Sequence, residues 1–140
     1  MLKRGDLVVI DNSRAKTLSS WTLEDVLDGT KAYRALVVIH NDAIKRYFNN
    51  FVGVPMTSFK AHTPPLGAWH VELTTGECVT SAALGKKTVP RIRSYLDCSQ
   101  LYTLPLAAIA GHVGQKGILG NLSPQKASEL QEALRVALAL

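Results

Sequence analysis

The four consecutive apolar residues at 36–39 constrain the fold of this chain more than any other feature of its sequence. Leu36, Val37, Val38 and Ile39 leave no polar position in the run, and three of the four are β-branched. Successive side chains of a strand point to opposite faces of a sheet, so a strand that is apolar at every position is buried on both faces. We therefore expect residues 36–39 to form a central strand of a β-sheet.

Shorter strand patterns precede and follow this central one. Leu7–Ile10 is rich in β-branched residues, and residues 51–56 predict a further strand with Pro55 near its exit, because proline disfavours the centre of a ladder. Residues 67–74 alternate between apolar and polar side chains, which is typical of a half-buried antiparallel strand. Residues 74–77 resemble a hairpin turn. In this first pattern one face carries Trp69, Val71 and Leu73. A second alternating pattern, at 91–97, has Arg91, Arg93, Tyr95 and Asp97 on one face. Residues 101–104 extend this second strand or pair with it.

The clearest helix lies at the carboxyl end of the sequence. Ser123 is suited to the N-cap, Pro124 to the first helical position, and the stripe that follows consists of Leu130, Leu134 and Leu138. Two shorter helices are predicted at 22–29, within a long polar connection, and at 43–48. We expect a single, mainly β domain over 1–140, a small barrel or sandwich with short inserted helices and a C-terminal amphipathic helix.

Composition excludes several classes of protein. The 140 residues are 46% hydrophobic and 19% charged, which suffices for one core without a disulfide or metal. No leader pattern opens the sequence, and no run approaches the roughly 18 apolar residues of a membrane span. Cys78 and Cys98 suit buried, reduced thiols, and four scattered histidines make no zinc pattern. We expect a soluble, cytoplasmic protein without a metal or other cofactor.

The net charge of +5 indicates a partner of opposite sign. Lysine and arginine bind polyanions favourably because counterions are released from the phosphates. Many small domains are basic for solubility alone, so the charge by itself leaves a nucleic acid and a solvated surface as equal alternatives.

Five segments, taken in order, resemble the MazF/PemK family of toxin endoribonucleases. Each segment alone occurs by chance in many proteins, but the five together cover most of the chain and imply the SH3-like barrel that this family shares with the gyrase-poisoning toxin CcdB. The segments are Lys3–Leu7, similar to the first family strand; Tyr33–Asp42, similar to R-P-x-L-V-I-x-N-D; Val54–Ser58, similar to V-P-x-T-S; His70–Leu73, similar to the next strand; and Gly120–Ser123 with the helix after it, similar to G-x-L-S.

The chain also departs from the family pattern. It lacks the G-x-E-Q loop, and Ala35 replaces the proline that follows the family arginine. The later C-D-Q-x-R-T motif reads Cys98–Thr103 here, with Ser99 in place of its acid and Tyr102 in place of its arginine. In some members these two residues belong to the active site, so either their roles have moved or the activity is weaker.

The resemblance implies the toxin of a type II toxin–antitoxin system, which cleaves single-stranded RNA without metal by attack of a 2′-hydroxyl on the adjacent phosphate. Arg34 is the expected donor to the developing negative charge, because a guanidinium fork binds two phosphate oxygens. Thr57 and Ser58 are expected at the phosphate, although turn residues often bond only their own backbone. His70 has a side chain suited to acid–base chemistry, although an exposed strand histidine is usually just a surface residue.

RNA binding is expected from aromatic and basic side chains. Trp69 matches a family position that contacts substrate, but as a strand aromatic it is equally consistent with the core. The other expected contacts are Arg91, Arg93 and Tyr95 on one strand face and Arg14 and Lys16 in the long loop, with a solvated basic surface as the alternative. The implied protein partners are a second copy of the chain and an acidic, partly disordered antitoxin.

A non-enzymatic toxin on the same fold is the alternative. The altered residues Ser99 and Tyr102 favour a cleavage-impaired relative or a CcdB-like gyrase inhibitor. CcdB-like toxins act through the end of the terminal helix, and here that end, Val136–Leu140, is entirely apolar, which favours packing over contact with a topoisomerase.

Overall fold

The computed structural model describes residues 2–11, 33–39, 50–80, 89–90, 92–109 and 118–139. The predicted helices at 22–29 and 43–48 lie outside these ranges. The described elements are β1 (Asp6–Asp11), β2 (Tyr33–Val38), β3 (Asn50–Ser58), β4 (His70–Leu73), β5 (Val79–Thr80), β6 (Ser94–Asp97), β7 (Tyr102–Pro105), a 3₁₀ turn (Leu106–Ala108), β8 (Ile118–Asn121) and α1 (Pro124–Leu138).

The strands form one antiparallel sheet that curls into a half-barrel. Its order is β4-β6-β3-β2-β1-β8-β5, and β7 pairs with the first half of β3 beside this path. The expected mainly β fold with a C-terminal helix is confirmed.

The central strand predicted at 36–39 is confirmed as β2, which lies between β1 and β3. Val37 packs into the core under α1, whereas Leu36 and Val38 pack into a second core on the opposite face of the sheet. β1 follows the same alternation, and residues 7–10 of β1 and 35–38 of β2 are buried. A sheet with a core on each face explains why these eight residues are all apolar.

Pro55 lies in the middle of β3 and not at its exit, because β3 continues to Ser58. The hydrogen bond from the Ile39 N–H to the Val52 carbonyl, 2.9 Å long, fixes which β3 positions bond to β2. In this register Pro55 lies opposite Leu36 in a pair that exchanges no hydrogen bond. On its other side β3 pairs with β7 up to Gly53 and with β6 from Met56, so the missing N–H falls in the gap between two neighbours.

Two predicted strand contacts are wrong. Residues 102–105 pair with β3 and not with β6, because the turn after Asp97 carries the chain across to the other end of β3. Thr74–Glu77 is a turn, closed by a 3.1 Å bond from the Glu77 N–H to the Thr74 carbonyl, but the strands on either side of it do not pair with each other. β4 pairs with β6, and β5 pairs with β8.

Helix α1 begins as predicted and covers one face of the sheet. The Ser123 hydroxyl accepts the Lys126 N–H at 3.2 Å, which satisfies one of the free donors at the helix start. Leu130 and Leu134 are buried in the core, but Leu138 is 48% exposed. The predicted stripe is therefore wrong at its last member, because the buried face runs through Leu130, Ala133, Leu134 and Ala137 and Leu138 lies to one side of it.

Glu77 ties the start of α1 to the turn that follows β4. Its carboxylate accepts the Thr74 N–H at 2.7 Å and lies 3.5 Å from the Lys126 ammonium, which also pairs with Glu129. Burial lowers the pKa of Lys126, but the two carboxylates outweigh burial and raise it above its ordinary value. Burial raises the pKa of Glu77, and the bonds from Thr74 with the charge of Lys126 bring it below its ordinary value. Each partner therefore stabilises the charged form of the other.

Both cysteines are buried, and neither forms a disulfide. Burial, with the nearby charge of Glu77, raises the pKa of Cys78 to about 12, and burial with the charge of Asp97 raises the pKa of Cys98 to about 11. The thiols are therefore protonated at neutral pH and serve as small apolar core residues.

Replacing Leu130 by alanine should lower the free energy of unfolding by about 2–5 kcal/mol, because the truncation leaves a cavity in the core under α1. Gln131→Ala is the matched control on the same helix, and its cost should stay within about 0.5 kcal/mol because that side chain is exposed. Urea denaturation followed by circular dichroism measures both. Equal losses for the two variants would show that α1 does not pack as described.

Candidate nucleic-acid interface

The register of β3, β6 and β4 brings one row of side chains across the outer face of the sheet. Thr57 lies opposite Tyr95, and Tyr95 lies opposite Glu72 on the next strand. Directly paired residues share a face, so these three side chains are neighbours across the strands. The alternate residues of β4 and β6 are buried, whereas this outer face is half exposed.

Ser58 does not share this face with Thr57. It lies opposite Ser94, whose side chain is 2% exposed and belongs to the inner side of β6. The two hydroxyls expected to act together therefore lie on opposite faces, because both residues are in β3 and not in a loop after it. Thr57 remains a candidate on the outer face, and Ser58 does not.

His70 lies at the start of β4, opposite Asp97 on β6. Its Nδ1 accepts the backbone N–H of Gly67 at 2.9 Å, so the neutral ring carries its proton on Nε2. Nε2 lies 3.6 Å from the Asp97 Oδ1 atom, and both side chains are about one-seventh exposed. The imidazole is thus fixed by contacts at both nitrogens, with its N–H directed towards a carboxylate.

Asp97 supplies a carboxylate close to where the family motif has its acid. It accepts the N–H of Ser99 at 3.0 Å, the Ser99 hydroxyl at 2.5 Å, and the amide of Gln100 at 3.1 Å. Ser99, which replaces the family acid, therefore orients an acid two residues before it. In the sequence, Asp97 and Ser99 both neighbour the position of the family acid, and the alternating pattern of 91–97 puts Asp97 on this face, but the sequence alone does not fix the register there.

A continuous row of aromatic rings crosses the same face, and we call it the aromatic row. Ring centroids lie 5.1 Å apart for Trp69 and His70, 5.3 Å for His70 and Tyr95, and 5.2 Å for Tyr95 and Phe59. Trp69 is 41% exposed, which excludes the core position that its alternation with Val71 allowed. Phe59 had no motif to mark it, although it follows Thr57 at the two-residue spacing of a strand.

Arg93 ends the aromatic row. Its guanidinium carbon lies 4.0 Å from the centroid of the Phe59 ring, and its Nε donates to the Glu72 carboxylate. A cation over an aromatic face is favourable, and the carboxylate fixes the plane of the guanidinium. Of the two arginines predicted on this strand face, the structure describes Arg93, and the charge of Arg93 is neutralised by Glu72.

The other predicted residues are only partly described. The backbone of Arg34 lies in β2 opposite Ile10, and its side chain is outside the described part of the chain. Leu36–Pro55 is the last registered pair between β2 and β3, so Arg34 and Thr57 each lie two residues beyond it, at the same end of the ladder. Arg14, Lys16 and Arg91 lie outside the described residues.

Within the described ranges no three or more His, Cys, Asp or Glu residues are grouped to hold a metal ion. No helix in those ranges is long and apolar enough to cross a membrane. What the outer face does offer is stacking surface, a carboxylate, an imidazole N–H and a hydroxyl. Flat π-surfaces interleaved with hydrogen-bonding groups suit single-stranded nucleic acid, whose unpaired bases can stack.

Comparisons with known proteins agree with this fold. The family model described as PemK-like, MazF-like toxin of type II toxin–antitoxin system matches residues 3–138. None of the curated proteins matches the sequence.

Three solved structures have the same fold at low sequence identity, although identities in this range carry no information on activity. An endoribonuclease from a mycobacterial species has a TM-score of 0.60 at 17% identity, over 98% of this chain and 90% of that one. A mycobacterial endoribonuclease in complex with its cognate antitoxin has a TM-score of 0.62 at 16% identity, over 100% and 97%. MazF from Deinococcus radiodurans has a TM-score of 0.53 at 14% identity, over 99% and 97%.

Replacing Gly67 by alanine should displace the Trp69 ring, because an added Cβ would lie 2.5 Å from the Trp69 Cζ3 atom. In a Trp21→Phe background, where Trp69 is the only tryptophan, its emission should shift to longer wavelength as the ring moves into solvent. Ala68→Ser, one exposed residue along, is the control and should leave the emission unchanged. Unaltered emission in Gly67→Ala would contradict the described packing of Trp69 on the Gly67 backbone.

Proposed function

Because the chain belongs to the family of PemK-like, MazF-like toxins of type II toxin–antitoxin systems, we propose that it cleaves single-stranded RNA on the outer face of β3, β6 and β4. The observation that supports this best is the register that places Thr57, Tyr95 and Glu72 in one row beside the His70–Asp97 pair. The solved structures of this fold include proteins titled endoribonuclease, which is consistent with the proposal.

The reaction needs no metal in this proposal. The 2′-oxygen forms a bond to the adjacent phosphorus while the bond from phosphorus to the 5′-oxygen breaks, leaving a 2′,3′-cyclic phosphate and a 5′-hydroxyl. One group must accept the 2′-hydroxyl proton, another must protonate the 5′-oxygen, and a cation must stabilise the charge on the phosphate.

Arg34 and Thr57 are proposed to bind the phosphate. Their backbones lie at the same end of the β2–β3 ladder, two residues beyond its last pair. A guanidinium can give two parallel hydrogen bonds to phosphate oxygens, and a threonine hydroxyl can give a third.

Asp97 is proposed to accept the proton of the 2′-hydroxyl, and His70 is proposed to stabilise the leaving group. With Nδ1 occupied by the Gly67 N–H, the neutral tautomer of His70 donates a hydrogen bond from Nε2 to the leaving 5′-oxygen, which takes its proton from water. Asp97, 3.6 Å away, has the acceptor oxygens needed for the 2′-hydroxyl proton. This assignment replaces the acid that the motif lacks at Ser99.

Arg34→Ala should lower kcat/KM for a long single-stranded RNA by about 10²–10³-fold in EDTA, as expected for the loss of one electrostatic donor in the transition state. Cleavage ends mapped on the wild-type products should carry 5′-hydroxyls. Arg135→Ala is the matched control, since Arg135 is an exposed arginine of α1, and its activity should equal that of wild type.

Intact RNA in every sample would contradict the nuclease proposal. The non-enzymatic alternative, a gyrase inhibitor or an RNA-binding relative, would then be favoured, and stalled gyrase–DNA complexes on expression would distinguish the first from the second. Full activity of Arg34→Ala would leave the nuclease in place and remove Arg34 from the mechanism.

We also propose that the chain acts in the cytoplasm as a homodimer held in check by an antitoxin. One solved structure of the same fold is titled as a complex with its cognate antitoxin. On this chain, Val136 and Leu138 at the end of α1 are 44% and 48% exposed, an apolar surface that a partner can cover. At micromolar concentration, light scattering should give about twice the 15.2 kDa mass of one chain. A monomer mass would contradict the dimer.

A further inference from the structure

Arg93 is fixed in one orientation by two different contacts. The Phe59 ring lies under its guanidinium at 4.0 Å, and Glu72 accepts from its Nε. Phe59 follows β3, Arg93 precedes β6, and Glu72 belongs to β4, so three segments of the outer face meet at this side chain. In addition, a backbone hydrogen bond from the Phe59 N–H to the Arg93 carbonyl, 3.1 Å long, fixes the two residues relative to each other.

The terminal edge of this guanidinium is free to bind a ligand. The side chain is 59% exposed, and within the described residues Nη1 and Nη2 have no hydrogen-bond partner. Two parallel N–H donors in one plane match a ligand with two adjacent acceptors in the same plane. Because Nε is already occupied and the plane is set by Phe59, little conformational entropy is lost on binding.

Resting on the proposed ribonuclease function, we infer that Arg93 reads a guanine base of the RNA through its O6 and N7 atoms. On the Hoogsteen edge only guanine presents two adjacent acceptors, whereas adenine has a donor beside N7. Cytosine presents an adjacent pair, N3 and O2, on its Watson–Crick edge, so a constant cytosine in place of guanine at the cut site would overturn the inference. The neighbouring rings of Tyr95, His70 and Trp69 continue from this point and provide stacking surface for the bases that adjoin the guanine.

The charge of the site favours a base over a phosphate. Glu72 contacts Arg93 directly and neutralises its positive charge, so an anion gains little from the pair and is repelled by the carboxylate. A neutral base does not meet this repulsion and still receives both hydrogen bonds. A phosphate would instead favour an arginine without an acidic partner.

The test begins with the cut sites of wild-type protein on a long single-stranded RNA. We expect one guanine at a constant position relative to the cut. In a short substrate of that sequence, 7-deazaguanine, which lacks N7, should be cleaved about tenfold more slowly, and inosine, which keeps O6 and N7, should be cleaved like guanine. In Arg93→Met the difference between guanine and 7-deazaguanine should disappear, because the side chain keeps its length but loses every hydrogen-bond donor.

Arg135→Met is the matched control, because Arg135 is 57% exposed and is also paired with a glutamate, Glu132. Its preference for guanine should equal that of wild type. Wild-type cleavage that shows no guanine preference, or a preference that persists in Arg93→Met, overturns the inference while leaving the nuclease intact. If the Arg93 variant instead binds all RNA sequences more weakly by the same factor, and the slope of log affinity against log salt concentration falls by about one unit, Arg93 contacts a phosphate. This outcome also overturns the inference.

Failure of the nuclease proposal is distinguishable from these outcomes. If wild type binds RNA without cutting it, the comparison of guanine, inosine and 7-deazaguanine is made on Kd, with the same expected order. If wild type neither cuts nor binds RNA, the proposed function and the reading of guanine by Arg93 are both wrong.

Discussion

β3 is the strand on which the rest of the structure depends, because it pairs with three other strands. β2 binds one side of it, and β7 and β6 share the other side in succession. Hydrogen-bond ladders of this kind leave no room for a slip, since a shift by one residue would exchange the two faces of the strand. Pro55 lies where the pairing with β7 has ended and the pairing with β6 has not begun. This proline has no N–H, and at this position of β3 no neighbouring strand needs one.

The position of the outer face follows from this register. Once Thr57 is opposite Tyr95, the pairing of β6 with β4 brings Glu72 and His70 into the same surface, and the two cores on either side of β2 keep the sheet rigid. No loop has to close for these side chains to be neighbours. The site is preorganised by backbone hydrogen bonds that lie some residues away from the groups proposed to react.

Local pattern was sufficient for the elements whose environment is uniform along their length. The apolar run at 36–39 and the N-cap of α1 could be read from the sequence because burial on both faces and capping each leave a local trace. The partner of β7 could not be predicted, because the sequence around Tyr102 fits an edge beside β6 as well as one beside β3. Leu138 departs from the prediction because a repeated spacing of four drifts around a helix of 3.6 residues per turn, whereas the buried face continues through Ala137.

The candidate site was recognised in part for a similar reason. The pattern at 91–97 indicates Arg93 and Tyr95, the polar side of 67–74 indicates His70, and the family motifs indicate Thr57 and Trp69. The importance of Asp97, Glu72 and Phe59 comes from partners on other strands, and only the register reveals those partners. The motif names Ser58 beside Thr57, but a motif of adjacent residues does not state that their side chains point to opposite faces of the strand.

The pairing of charges on the outer face has a consequence for how a nucleic acid would arrive there. Arg93 is matched by Glu72, and Asp97 adds a negative charge beside His70, so the described side chains of this surface carry no surplus of positive charge although the chain carries a net charge of +5. These side chains by themselves would not draw a strand of RNA from a distance. Capture would depend on collision and short-range stacking, and the surplus positive charge would act from other parts of the chain, which separates the task of attraction from the task of discrimination.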